Sequence, residues 1–422
     1  MRIFLKYFFW VVCLFFFGST LQANQEDILP EHTEESFELF EEGKFLFLTY
    51  CAHCHGNSGG GDGFNAEFLD KDPAELSDSK FQAKRSDEKI FRVISKGGAK
   101  VKKSHLMPAF GYTLSEKEIW SLVSYIRYLG KNESFTVPTK NVSSERPFKP
   151  LIRKPEVVSF NEWFSENGQK KNQTGSGKSL VMNKKSCLGC HQLNGEGGRV
   201  GPNLNRSSFS YKPDWIYAWI LNPQKFRPYT KMPNLGLEPK EARAIASFLA
   251  SFQPDEDELP KNSKNFKKYL IARGDPKRGQ EIFNNPEGIA NCAKCHLVND
   301  KGGLVGPELS FVGTSRTRKF ILESILDPSA IISAGYKTMM VLTKDKKFIT
   351  GIKKNEDDSG LYLINKDGKE LYISKSKIKK YKTQKISTMP GNFEDLLEVQ
   401  DVADILAYLG SLTLPVINSS VN

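Results

Sequence analysis

Cys51-Ala52-His53-Cys54-His55, Cys187-Leu188-Gly189-Cys190-His191 and Cys292-Ala293-Lys294-Cys295-His296 spell Cys-x-x-Cys-His three times in one chain. Two thiols one helical turn apart can each add to a vinyl group of the same porphyrin, and the histidine that follows is then held against the iron from one face. A lone copy could also be a redox dithiol or half of a zinc site. Three copies take six of the seven cysteines and leave only Cys13, so no thiol remains to form disulfides or complete a zinc site. The pattern predicts three covalently bound c-type haems. Cys51, Cys54, Cys187, Cys190, Cys292 and Cys295 are the attachment points, and His55, His191 and His296 the first axial ligands of the iron.

A second ligand is needed on the other face, and each motif is followed by a Met-Pro pair: Met107-Pro108, Met232-Pro233 and Met389-Pro390. A thioether is a soft, weak ligand that favours ferrous iron and raises the reduction potential, and iron filled on both faces moves electrons rather than binding substrate. Methionine is more often a filler of apolar gaps. Three of the six methionines beyond Met1 nevertheless precede proline at matching places, which selects Met107, Met232 and Met389. Met339 and Met340 are rivals in the third segment, but they sit in a strand-like run and read as core. His105, two residues before Met107, is the alternative in the first segment, and a bis-histidine iron would have a lower potential.

The ends and the charge bound the setting. Residues 1–23 hold Arg2 and Lys6, an apolar run and a small-residue stretch ending at Ala23, the grammar of a secretory signal with cleavage after Ala23. An uncleaved anchor is the alternative, because Leu21 fits the cleavage site poorly, although the run is short for a membrane span. Cys13 has no small residue before it, against a lipid anchor. The expected location is therefore periplasmic, with membrane association only if the leader is retained. The formal net charge of +11 is unevenly spread: residues 337–385 carry fourteen Lys against six Asp or Glu, while residues 26–42 hold eight acidic groups and no Lys or Arg. The basic lobe reads either as a docking surface for an acidic redox partner or as a solvated lysine-rich β surface. A nucleic acid partner is not expected, since these lysines alternate along strands of an exported chain.

The motifs divide the chain into a signal peptide (1–23), a first domain (24–130), a linker (131–175), a second domain (176–253), a linker (254–273), a third domain (274–413) and a tail (414–422). Each domain is mainly α. A short helix opening near Gly43, Gly177 or Gly279 precedes the motif, and a longer amphipathic helix follows the Met-Pro pair, near 114–129, 237–252 and 393–412. Ser115 and Glu118 form a capping box for the first of these. Phe160 to Phe164, with Trp163, is expected to dock although it lies in a linker. Gly175-Ser176-Gly177-Lys178-Ser179 imitates a phosphate loop, but Asn172 stands where the first glycine is required and no strand precedes it. The third domain separates His296 from Met389 by 93 residues, against 52 and 41 in the others, and the surplus reads as a small antiparallel β meander inserted at 336–386.

At these residues the chain closely resembles class I cytochrome c over about 38–130, 176–253 and 274–413. The first repeat, with Cys51-Ala-His-Cys-His-Gly, Gly61-Asp-Gly63, Arg92-Val-Ile and Met107-Pro-Ala-Phe, looks like domains of the cytochrome subunits of bacterial oxidases. The third, with Gly306-Pro307-Glu-Leu, Asp327-Pro328, the β insert and Asp404-Ile-Leu-Ala-Tyr-Leu409, is similar to a haem-binding domain of planctomycete and verrucomicrobial proteins. The resemblance implies that a loop proline carbonyl holds the proximal imidazole, a role that falls to Pro202 and Pro307, with Pro73 as substitute in the first repeat. It also implies an exported triheme carrier of single electrons in a respiratory or dehydrogenase chain, not an enzyme on its own. The alternatives are the cytochrome subunit of an alcohol or sugar dehydrogenase, a peroxidase-type haem enzyme if one iron is open, and a ligand-sensing module; a dehydrogenase or oxidase subunit is a candidate partner.

Overall fold

The computed structural model describes residues 34–131, 142–146, 154–204, 211–227, 230–252, 266–333, 335–356 and 359–413. The expected signal peptide and the tail lie outside these residues. The mainly α architecture is borne out: three helical units follow one another, and an antiparallel sheet is set into the third.

Each unit is built on one crossing. In the first, α1 (Glu34–Tyr50) packs on α3 (Glu116–Leu129), with α2 (Asp87–Lys100) beside them. In the second, α5 (Lys171–Ser179) packs on α7 (Pro239–Ala250), which also meets α6 (Pro213–Leu221). In the third, α9 (Pro276–Asn284) packs on α11 (Val399–Ser411), with α8 (Phe266–Ile271) and α10 (Arg318–Leu326) alongside. At every crossing the first helix places a glycine against the backbone of the second. A Cβ added at Gly43 would lie 2.0 Å from the Ser121 carbonyl oxygen, one at Gly177 2.0 Å from that of Ala244, and one at Gly279 1.9 Å from that of Asp404. The helices meet too closely for any side chain, so these glycines set the crossing. They are not the helix openers expected from sequence, and α1 runs straight through Gly43.

Apolar side chains spaced by three and four fill the crossings. Phe47, Leu122 and Val123 are fully buried in the first unit, Val181, Ala242 and Ala246 in the second, and Leu322, Val402 and Leu406 in the third. The Ser115–Glu118 capping box opens α3, with the Glu118 amide donating to Ser115 Oγ at 3.2 Å and the Ser115 amide to Glu118 Oε2 at 2.8 Å.

Two stretches expected as linkers carry structure. α4 (Lys154–Asn167) lies within 131–175, and Phe160, fully buried, stacks on Tyr217 with ring centroids 4.4 Å apart. α8 lies within 254–273, where Phe266 and Tyr269 complete the third core. In both cases aromatic anchors spaced along a polar run supply enough buried area to fix a helix.

The insert is a five-stranded antiparallel sheet of order β4-β3-β2-β1-β5, from β1 (Thr338–Thr343), β2 (Phe348–Glu356), β3 (Gly360–Ile364), β4 (Glu370–Ser374) and β5 (Ile378–Thr383). Four strands follow the expected meander. The fifth departs from it, returning to pair with β1. Its residues after Ile378 are all exposed, so no buried alternation marked Ile378–Thr383 as a strand; pairing with β1, Ile378 against the sheet core and the Tyr381 hydroxyl donating to Glu356 Oε1 at 2.9 Å hold it at the edge. Met339, Val341, Leu361, Leu363 and Ile373 make a core from sheet residues only. On the other face Ile352 and Ile364 pack on Val305, with Cys295 and Tyr336 alongside. The second and third units join through an aromatic cluster. Trp215 and Phe226 meet Phe311 with centroids 6.3 and 6.2 Å apart, and Lys212 Nζ donates to the Gly313 carbonyl at 2.8 Å.

Candidate functional site

Each Cys-x-x-Cys-His motif starts where the first helix of its unit has ended, in a tight turn closed by the histidine amide bonding back to the first cysteine's carbonyl. These bonds are 2.9 Å for His55, 2.8 Å for His191 and 3.0 Å for His296. The turn fixes the imidazole's root, and a backbone carbonyl fixes its rotation. His191 Nδ1 lies 2.7 Å from the Pro202 oxygen, and His296 Nδ1 lies 2.7 Å from the Pro307 oxygen. The glycine before each proline makes the approach feasible: a Cβ at Gly201 or Gly306 would lie 2.4 or 2.5 Å from the ring Cε1.

In the first unit the acceptor is the Ala74 carbonyl, 2.9 Å from His55 Nδ1, and not that of Pro73. The Pro73 oxygen instead faces Gly61, whose added Cβ would lie 2.9 Å from it. The role belongs to a backbone oxygen, which any residue can offer. In all three units a carbonyl can only accept, so Nδ1 carries the proton and Nε2 keeps its lone pair for a metal. Burial, opposed by the carbonyl contact, lowers the pKa of His55, His191 and His296 and favours the neutral, ligating form.

The sulfurs, present here as thiols where thioethers would stand, sit in apolar surroundings. Burial pushes Cys51 up to about 12, Cys187 to about 11, Cys190 to about 12 and Cys292 to about 12. A neutral thioether suits such a pocket better than a thiolate. The first cysteine of each motif and the Met-Pro methionine of the same unit pack against one apolar cluster. The pairs are Cys51 with Met107, Cys187 with Met232 and Cys292 with Met389. Residues 41 to 93 positions apart from the motif histidine are thus returned to the core it borders. Each methionine loop is pinned by its backbone. The Gly98 amide donates to the Met107 carbonyl at 3.0 Å, the Met232 amide to Thr230 Oγ1 at 3.3 Å, and the Met389 amide to Ser387 Oγ at 3.1 Å.

The residues therefore fit a covalently held haem. In each unit the first cysteine and the methionine pack on one apolar cluster, and the same tight turn carries the second sulfur and an imidazole oriented by a backbone carbonyl. Among the described residues no group of three or more His, Cys, Asp or Glu is arranged to hold a bare metal ion. Met339 is buried in the sheet, and Met340 Sδ accepts from Gln384 Nε2 at 3.2 Å, which puts both rivals of Met389 in the β insert. His105 stays open as the alternative to Met107, since its Nε2 is buried without a hydrogen-bond partner. Besides Ala74, three participants escaped the sequence reading. Trp219 Nε1 donates to Met232 Sδ at 3.0 Å, and nothing local marks that tryptophan. Thr230 and Ser387 each stand two residues before a methionine, a Ser/Thr-x-Met-Pro pattern that was available to be read.

The cytochrome c family model matches residues 176–253 and 276–413, and that of cytochrome c oxidase, cbb3-type, subunit III matches residues 38–126. Cytochrome c of Ulva intestinalis is 35% identical over 94 residues, covering 17% of this chain and 85% of the relative. Cytochrome c of Arabidopsis thaliana is 29% identical over 94 residues, covering 17% and 84%. A solved reducing HAO-like protein complex from Kuenenia stuttgartiensis aligns to 51% of this chain and 96% of its own at 20% identity, with a TM-score of 0.19 that carries no argument.

Proposed function

We propose that this chain, which belongs to the cytochrome c family, is an exported triheme carrier that takes single electrons from one redox partner and delivers them to another. Haem c, the iron cofactor of that family, supplies a one-electron couple, and the protein is a haem-binding electron-transfer cytochrome. The count of three rests on one repeated observation: in each unit the first motif cysteine and the Met-Pro methionine pack on one apolar cluster, and the motif imidazole is turned by a backbone carbonyl.

The residues' part is to orient and exclude. The carbonyls of Ala74, Pro202 and Pro307 hold each ring in one tautomer and raise its basicity as a ligand. Met107, Met232 and Met389, packed against the same apolar clusters as the first motif cysteines, would supply a second ligand to the iron, with His105 as the alternative in the first unit. Iron so filled would leave no open position for substrate, which favours a carrier over a peroxidase-type enzyme.

Export is supported by residues 1–23, and the thioether linkage belongs to compartments outside the cytoplasm. Among the described residues no helix is long and apolar enough to cross a membrane. An acidic partner is supported by the lysine-rich insert, where Lys379, Lys380 and Lys382 stand exposed on the edge strand β5. A dehydrogenase or oxidase subunit would satisfy that chemistry.

The test joins three measurements on purified protein: intact mass, the electron paramagnetic resonance spectrum of the oxidised form, and a carbon monoxide titration of the reduced form. Three haem additions with wholly low-spin iron that ignores carbon monoxide are expected. A different haem count sinks the triheme reading, and one high-spin, gas-binding site would turn it towards an enzyme or sensor.

A further inference from the structure

Asn65 is a fully buried polar residue outside every motif, and two of its side-chain hydrogen bonds leave its own unit. Its Nδ2 lies 3.2 Å from Cys54 Sγ in the first motif and donates to the Gly189 carbonyl, inside the second motif, at 2.9 Å. Its Oδ1 accepts from the Arg199 amide at 2.7 Å. One amide therefore touches both attachment turns. The rest of the junction is equally close. A Cβ at Gly189 would lie 2.2 Å from the carbonyl oxygen of Leu106, next to Met107. The Arg199 guanidinium sits over the Phe68 ring, 4.0 Å from its centroid. The methionine loop of the second unit returns the contact: the Asn234 amide donates to Thr113 Oγ1 at 2.9 Å, and a Cβ at Gly236 would lie 2.6 Å from the Tyr112 ring. Each unit thus lends its methionine loop to the closure of the other, around Asn65.

We infer that the first two sites work as a fixed pair, coupled through their attachment turns, and that Asn65 is the positioning residue that sets their spacing. The inference rests on the triheme reading. An electron leaving the reduced site of one unit is taken up by the oxidised site of the other, one electron for one, with no proton moved and no bond made or broken. Asn65 touches neither iron. It acts by holding Cys54 and Gly189 on the two sides of a single amide, whose donor and acceptor are both used. A hydrophobic residue of similar size would leave the Gly189 carbonyl and the Arg199 amide buried without partners, and the cheapest relief is separation of the units.

The test uses the full haem-loaded chain, with haem count checked by mass first, so that loss of the triheme reading is seen separately. Wild type should show a bisignate circular dichroism couplet in the Soret region, the signature of two porphyrins held close at a fixed angle. Asn65→Leu should collapse the couplet and bring two of the stepwise reduction potentials together, with haem content unchanged. Gly189→Ala, which pushes the same junction apart from its other side without touching Asn65, should do likewise if Asn65→Leu fails to accumulate. Lys212→Ala, at the junction of the second and third units, should leave the couplet intact. A couplet and potentials unchanged in both Asn65→Leu and Gly189→Ala would overturn the inference, as would a wild-type protein with three haems and no couplet.

Discussion

Two glycines in one helix decide whether the crossings are as close as described. Gly175 and Gly177 both lie in α5 (Lys171–Ser179); a Cβ at Gly175 meets nothing within 4 Å, while one at Gly177 meets the Ala244 carbonyl oxygen at 2.0 Å. Alanine at either position gains about 1 kcal/mol of helix propensity over glycine. That gain is common to both variants, so their difference isolates the clash. Real Cβ contacts essentially never fall under 3.0 Å, so Gly177→Ala must part α5 from α7 by at least the 1.0 Å between 2.0 and 3.0 Å. The obstacle is backbone, which cannot swing aside. Overpacking of this kind costs about 1–3 kcal/mol. Gly175→Ala should therefore unfold at a higher urea midpoint than wild type, and Gly177→Ala lower than Gly175→Ala by that amount. The assay is urea unfolding of the haem-loaded chain followed by far-ultraviolet circular dichroism, comparing midpoints at equal slope. If the two variants shared a midpoint, or Gly177→Ala were the more stable, the crossing glycine would have no role in the fold.

Trp219→Phe removes the donor to Met232 Sδ while keeping the ring. A hydrogen bond worth about 0.5–1.5 kcal/mol that weakens the sulfur as a donor to ferric iron corresponds to about 20–60 mV, so one potential should fall by that much and the others stay fixed in a spectroelectrochemical titration. Met389→Ala should convert one iron alone into a carbon monoxide-binding form, and gas binding at more than one site would mean that the units do not hold their ligands independently. Asp404 is buried, which raises its pKa, but the Asp275 amide, Gln400 and the Arg278 guanidinium outweigh burial and hold it below the usual carboxylate range. Its contribution is present above the unfolded value of about 3.9 and is lost as pH falls through the folded one. Asp404→Asn should flatten the acid limb of a stability–pH curve measured by thermal unfolding, and an unchanged limb would remove Asp404 from the account.

The parts of this molecule legible in the sequence are those whose chemistry is local. Cys-x-x-Cys-His needs its thiols one turn apart, and a Gly-Pro loop brings a carbonyl to a ring because glycine removes the Cβ in the way. β1 was visible because the apolar and β-branched run Thr338–Thr343 stops at the Lys344-Asp345-Lys346-Lys347 turn. What escaped depends on partners distant in the chain. The Gly189 oxygen bonded by Asn65 lies 124 positions away, and an asparagine in a glycine-rich loop looks like an ordinary turn residue. Gly43, Gly177 and Gly279 were seen to recur, but a glycine that permits a close crossing and one that opens a helix have the same spelling. Ala74 was missed in favour of Pro73 because a carbonyl acceptor belongs to the backbone and leaves no mark on residue type. β5 was missed because an exposed edge strand rich in lysine has no buried face to betray it.

The junction around Asn65 also orders events in time. Cys54 and Cys190 both belong to attachment turns that the docked units close over, and a porphyrin can reach those sulfurs only while the turns stand apart. Because the thioether bonds belong outside the cytoplasm, both turns would have to stand apart until the chain is exported and loaded. Docking then seals both turns. The same contact that fixes where the two sites sit would separate two states of the chain, an open, loadable one and a closed pair.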